Sequence, residues 1–81
     1  MNVIKVYGSG CANCKRLESM CTEVIRENNF DASVEKVSDI QEIIKTGILS
    51  TPGLEINGKM ISSGKLPTKS TLIHWIQENI N

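Results

Sequence analysis

Eighty-one residues, 40% hydrophobic and 22% charged, suffice for one small domain over residues 1–81 and place the chain among ordinary soluble globules, not disordered or fibrous proteins. Nine basic side chains balance nine acidic ones, which leaves no net field for a polyanion and excludes nucleic-acid binding from the expected functions. No apolar run reaches the length of a membrane span, and the N-terminus lacks the zones of a signal peptide, so a cytoplasmic protein without membrane insertion is expected.

Asn2 to Tyr7 reads as the first strand, with Val3, Ile4 and Val6 forming a β-branched run too continuous for an exposed edge. It is predicted to run through the middle of a sheet. Gly8-Ser9-Gly10 then lets the chain turn sharply. It lacks the fuller glycine pattern and the lysine of a phosphate cradle. From Cys11 to about Glu27 the residues Cys14, Leu17, Cys21, Val24 and Ile25 recur at three- and four-residue steps, the pattern of a one-sided helix that Asn28-Asn29 ends. Phe30 to Val37 alternates as a second strand, with Ala32, Val34 and Val37 expected on one face.

Ser38 followed three residues later by Gln41 is a capping-box pattern, and Ile40, Ile43 and Ile44 give the next short helix an apolar face before Gly47 stops it. Leu54-Glu55-Ile56 and Lys59-Met60-Ile61 flank Asn57-Gly58, the signature of a hairpin closed by a two-residue type I′ turn. Pro67 and Thr68 open a last helix lined by Leu72, Trp75, Ile76 and Ile80. The order is βαβ, then helix, hairpin and helix, with the first two strands parallel.

The chemistry lies in Cys11-Ala12-Asn13-Cys14. Two thiols one turn apart at a helix N-terminus meet unpaired backbone N–H groups and the positive end of the helix dipole, both of which favour a thiolate. Three cysteines is an odd number, and this local pairing does not suit a secreted disulfide scaffold, so the pair is read as catalytic or metal-binding. Cys14 shares a face with Leu17 and Cys21 while Cys11 sits at the exposed start, which assigns Cys11 as nucleophile and Cys14 as resolving thiol. The same two thiolates would also suit Cu(I), so a soft-metal module is the alternative function, and a binding scaffold with an idle pair is a third.

Cys21 is expected to be a small buried hydrophobe, Lys15 and Arg16 a solvated helix face, Tyr7 and Trp75 packing residues, and His74 a surface residue. No buried carboxylate able to accept a proton from Cys14 is evident.

Taken together, Gly8-Ser9-Gly10-Cys11-Ala12-Asn13-Cys14-Lys15, Thr51-Pro52, Ile56-Asn57-Gly58-Lys59 and Ser62-Ser63-Gly64-Lys65-Leu66-Pro67 resemble the small thioredoxin-like redox-active disulfide proteins of archaea and bacteria. The resemblance spans essentially the whole chain. It implies an α/β thioredoxin fold, β-α-β-α-β-β-α, with a four-stranded mixed sheet and helices on both faces. It also implies a thiol–disulfide oxidoreductase acting through Cys11 and Cys14, with a cis Pro52 beside them and with Gly10, Ala12, Asn13, Thr51 and Pro52 touching the substrate.

No cofactor is expected beyond the Cys11–Cys14 disulfide; the implied partners are protein disulfides and an upstream reductase, and the implied state is a monomer. Two departures stand out. Thioredoxins usually carry Trp-Cys-Gly-Pro-Cys, and the intervening dipeptide tunes the redox potential, so no potential carries over to Ala12-Asn13. Glutaredoxins carry Thr-Val-Pro and an acid-containing Gly-Gly segment for glutathione, whereas Thr51-Pro52 and Ser63-Gly64-Lys65 lack those features, so a glutathione site is not expected.

Overall fold

The β-branched opening does lie in the middle of the sheet: in the computed structural model, which describes residues 2–80, the strand order is β2-β1-β3-β4. The elements are β1 (Asn2–Tyr7), α1 (Ala12–Asn28), β2 (Ala32–Val37), α2 (Ile40–Lys45), β3 (Gly53–Ile56), β4 (Lys59–Ser63) and α3 (Lys69–Asn79). β1 and β2 pair in parallel, Asn2 opposite Ala32 through Tyr7 opposite Val37, and α1 is the crossover that a parallel pair requires. β3 runs antiparallel to β1, with Ile4 opposite Ile56, and β4 antiparallel to β3.

One face of the sheet carries the core. Ile4, Val6, Leu54 and Ile56 point toward Leu17, Cys21 and Val24 of α1 and Leu72 and Ile76 of α3, and all nine are at most 1% exposed. Full burial of side chains of this kind stabilises by about 1.5–3 kcal/mol each, so two helices on one face supply most of the folding drive. Phe30, Trp75 and Ile80 are half-buried against this cluster.

The opposite face is covered differently. Lys5, Tyr7, Val37, Glu55 and Met60 share a cleft of about 460 Å³ with Glu42, Lys45 and Thr46 at α2. None of the α2 residues is buried, and Ile40 and Ile44 stay 59% and 63% exposed, so the expected apolar face of this helix finds no full partner. The six-residue α2 lines this cleft with Glu42 and Lys45, and Ile40 and Ile44 are not among the cleft's lining residues.

Val37 also departs from expectation. Strand side chains alternate, so Val37 lies with Tyr7 at this cleft and not with Ala32 and Val34 on the core side. The cap of α2 shifts by one residue as well: Asp39, not Ser38, accepts the Gln41 N–H, at 2.8 Å. An N-cap side chain commonly bonds the second helical N–H, and Asp39 occupies the position from which that bond closes.

The hairpin turn follows its sequence. Asn57 and Gly58 both have positive φ, 51° and 84°, as a type I′ turn requires, and a bulge shifts the β3–β4 register between Leu54 and Glu55. Asn57 also ties distant parts together. Its Oδ1 accepts from the Val3 N–H at 2.9 Å, and its Nδ2 donates to Asn2 Oδ1 and to the Asn79 carbonyl.

Candidate active site

The C-terminal end of β1 delivers the chain to the two cysteines. Gly8 continues the parallel pairing by donating its N–H to the Val37 carbonyl at 2.9 Å, and the chain turns at Gly10, whose φ is +94°. Cys11 then adopts an extended conformation as the N-cap of α1, and its Sγ accepts the Cys14 backbone N–H at 3.1 Å. The sulfur thus occupies the place usually held by a Ser or Asp oxygen.

Cys11 and Cys14 are joined by a disulfide, with Cα atoms 5.0 Å apart. The two ends of that bond differ sharply in access: Cys11 is exposed and Cys14 is 3% exposed. An N–H donor and a helix N-terminus so placed stabilise negative charge on the Cys11 sulfur once the bond is reduced. The first turn of α1 contains no acidic residue to oppose it.

The Thr51–Pro52 peptide bond is cis. Pro52 is fully buried and Thr51 half-buried, and the Pro52 carbonyl accepts from the Gly64 N–H at 2.8 Å, which fixes this loop to the end of β4. A Cβ placed on Gly8 would lie 3.8 Å from the Thr51 Cβ, so Gly8, Cys14 and Thr51 converge on one spot. Gly10, Ala12 and Asn13 border Cys11 along the chain, and Ala12 and Asn13 are exposed.

Gly8 has a role the sequence did not disclose. It is buried and has no unusual φ, so its value is space: an added Cβ would sit 2.9 Å from the Cys14 Cβ and closer still to its Sγ. Of the two loop glycines, Gly10 provides the turn and Gly8 provides the seat for the second sulfur.

Other candidate residues fall away from the disulfide chemistry. Cys21 is fully buried, and desolvation, assisted by Glu18, pushes its thiol up to about 12. That suits an inert packing thiol. Burial and the hydrogen bond from its hydroxyl to Glu55 Oε1, at 3.0 Å, push Tyr7 up to about 12 as well, holding it as a neutral donor. His74 lies exposed on α3, paired with Glu78 one turn on. Among the described residues no three His, Cys, Asp or Glu side chains gather as a metal cluster.

Comparison with known proteins agrees with this geometry. Residues 2–77 match the family described as thioredoxin domain. The thioredoxin of Methanothermobacter thermautotrophicus is 35% identical over 72 residues, covering 89% of this chain and 94% of that protein. That of Methanocaldococcus jannaschii is 31% identical over 68 residues, covering 84% and 78%. Among solved structures, the germline-specific thioredoxin Deadhead of Drosophila melanogaster superposes with a TM-score of 0.67 at 16% identity, covering 98% of this chain and 81% of that one. The oxidized mitochondrial thioredoxin 3 of Saccharomyces cerevisiae gives 0.68 at 14%, covering 95% and 77%. At these identities the two structures speak for the fold.

Proposed function

Since the chain belongs to the thioredoxin family and is a thiol–disulfide oxidoreductase, we propose that it reduces disulfides of other proteins, with Cys11 attacking and Cys14 resolving. The observation that carries the assignment is the contrast between an exposed, N-capping Cys11 sulfur and a buried Cys14 sulfur on the same bond.

In the forward direction the Cys11 thiolate attacks one sulfur of the partner disulfide. That bond breaks, the other partner sulfur leaves as a thiolate, and a mixed disulfide joins the attacked sulfur to Cys11 Sγ. Cys14, on losing its proton, then attacks Cys11 Sγ and releases the attacked partner sulfur as the second thiolate. Two electrons have passed to the partner, and the chain is left with its Cys11–Cys14 disulfide. An upstream dithiol reductase restores the starting state, and the cycle uses no cofactor beyond the disulfide itself.

Gly10, Ala12, Asn13 and the Thr51–Pro52 loop form the surface on which the partner's chain lies during exchange. We take the working unit to be a monomer in the cytoplasm. Glutathione is not the proposed substrate, because Ser63-Gly64-Lys65 has no acidic side chain to recognise its amino group.

The test is a metal-free redox titration in dithiothreitol buffers with alkylation read by mass. A reversible two-electron transition confined to Cys11 and Cys14, between about −280 and −180 mV, is expected. Absence of that disulfide, with alkylation blocked by one equivalent of Cu(I), would replace the proposal with a metal-binding role.

A further inference from the structure

We infer that the groove between α1 and the start of α3 receives an acidic, partly apolar stretch of the partner protein, next to the disulfide being reduced. The inference rests on the oxidoreductase reading above and concerns which partners that site selects. The groove, of about 390 Å³, is walled by Lys15, Arg16, Met20 and Glu23 from α1 and by Leu66 and Lys69 at the α3 side.

Both walls are tied to the reacting sulfurs. On α1, Ala12, Arg16 and Met20 follow one another at four-residue steps, so the ridge that begins inside the Cys11–Cys14 motif descends directly into the groove. On the other side, Leu66 lies two residues after Gly64, whose N–H holds the Pro52 carbonyl at 2.8 Å. A chain lying across the cis-proline loop and Cys11 therefore has the groove as its continuation.

The lining states what it would accept. Met20 and Leu66 are half-buried and leave an apolar floor. Lys69 is already neutralised, with Glu23 and Glu27 each at 2.6 Å. Lys15 and Arg16 are exposed and make no ion pair within 4.0 Å among the described residues, and exposed Lys65 is in the same position. Zero net charge over the whole chain thus hides a local excess of cations in the groove, Lys15, Arg16 and Lys69 against Glu23 and the Glu27 that pairs with Lys69, with Lys15 and Arg16 the two left unpaired among the described residues. Such an excess attracts acidic segments and accelerates their encounter, and the effect fades with salt.

The experiment mixes the fully reduced protein with two disulfide-bonded peptides that differ only in whether Asp and Glu or Lys flank the cystine, and reads the second-order rate of thiol release. Hydroxyethyl disulfide serves as an uncharged reference. At about 10 mM salt the acidic peptide should react about tenfold faster, shrinking to less than about twofold at 0.5 M. The double variant Lys15→Glu/Arg16→Glu should reverse the preference. Equal rates on the two peptides, or a preference that survives the charge reversal, would overturn the groove assignment while leaving the redox chemistry standing. Failure to reduce even hydroxyethyl disulfide would overturn the oxidoreductase reading and this inference with it.

Discussion

Gly8→Ala places one methyl where the second sulfur sits, and the consequence can be worked from distances. The new carbon would lie 2.9 Å from the Cys14 Cβ, against the 3.4–4 Å of ordinary contact, and nearer still to Sγ. Overpacking a rigid, buried site by a methyl costs about 1–3 kcal/mol. The cost divides between redox states. The clash with the Cys14 Cβ is present in both, and lowers the stability of both. The clash with Sγ is worse in the oxidised protein, where the bond to Cys11 pins that sulfur, than in the dithiol, where the side chain can rotate away. The oxidised form is therefore destabilised more, and the couple becomes more oxidising. With about 30 mV per 1.4 kcal/mol for two electrons, the whole cost of about 1–3 kcal/mol would correspond to about 20–65 mV, and because part of it is common to both states the rise stays below that bound. Urea unfolding of both redox forms and a thiol titration of the couple measure the two parts separately. A Gly8→Ala variant as stable as the parent in both forms, with an unchanged potential, would refute the steric argument.

The alkaline limb of stability should report the buried thiol. Cys21 rises from an ordinary 9.0 to about 12 in the fold, so the native state holds its proton longer than the unfolded chain. Its contribution is complete below pH 9.0 and is lost between there and about pH 12, at up to about 1.4 kcal/mol per pH unit. Tyr7 acts in the same direction from 10.0 to about 12. Urea midpoints should fall across this window, and Cys21→Ala should flatten the part that begins near pH 9.0. In native protein at pH 8, iodoacetamide should modify reduced Cys11 and spare Cys21. At the opposite end of the fold, Asn57→Gly keeps the positive φ but loses three side-chain hydrogen bonds, and should cost about 1–3 kcal/mol. Asn57→Ala should cost about 1 kcal/mol more, because alanine resists that backbone conformation. Denaturant midpoints of the two variants check the order.

Much of the site was legible because its signals are local. Cysteines at an interval of three at a helix start, Asn-Gly between alternating apolar residues, and a β-branched run each carry their own geometry, and α1, the hairpin and the central β1 follow from them. The cis-proline loop was legible only through resemblance to a family. What escaped depends on contacts between elements distant in sequence. Ser38 and Asp39 are both good capping residues, and nothing local says which one closes the first turn of α2. The apolar spacing of Ile40, Ile43 and Ile44 reads as a buried face, but which side of a short helix meets the sheet is decided by the connecting chain, and here Glu42 and Lys45 line the cleft while Ile40 and Ile44 stay exposed. Gly8 looks like any loop glycine until Cys14 is brought against it.

Division of labour between the two cysteines is the central claim, and trapping tests it most directly. Reduced Cys14→Ser protein, mixed with a protein disulfide, should accumulate a one-to-one mixed disulfide whose tryptic fragments place the link at Cys11, while Cys11→Ser protein should form none and reduce nothing. A covalent adduct at Cys14 in the Cys11→Ser variant, or at Cys21 in either, would contradict the assignment.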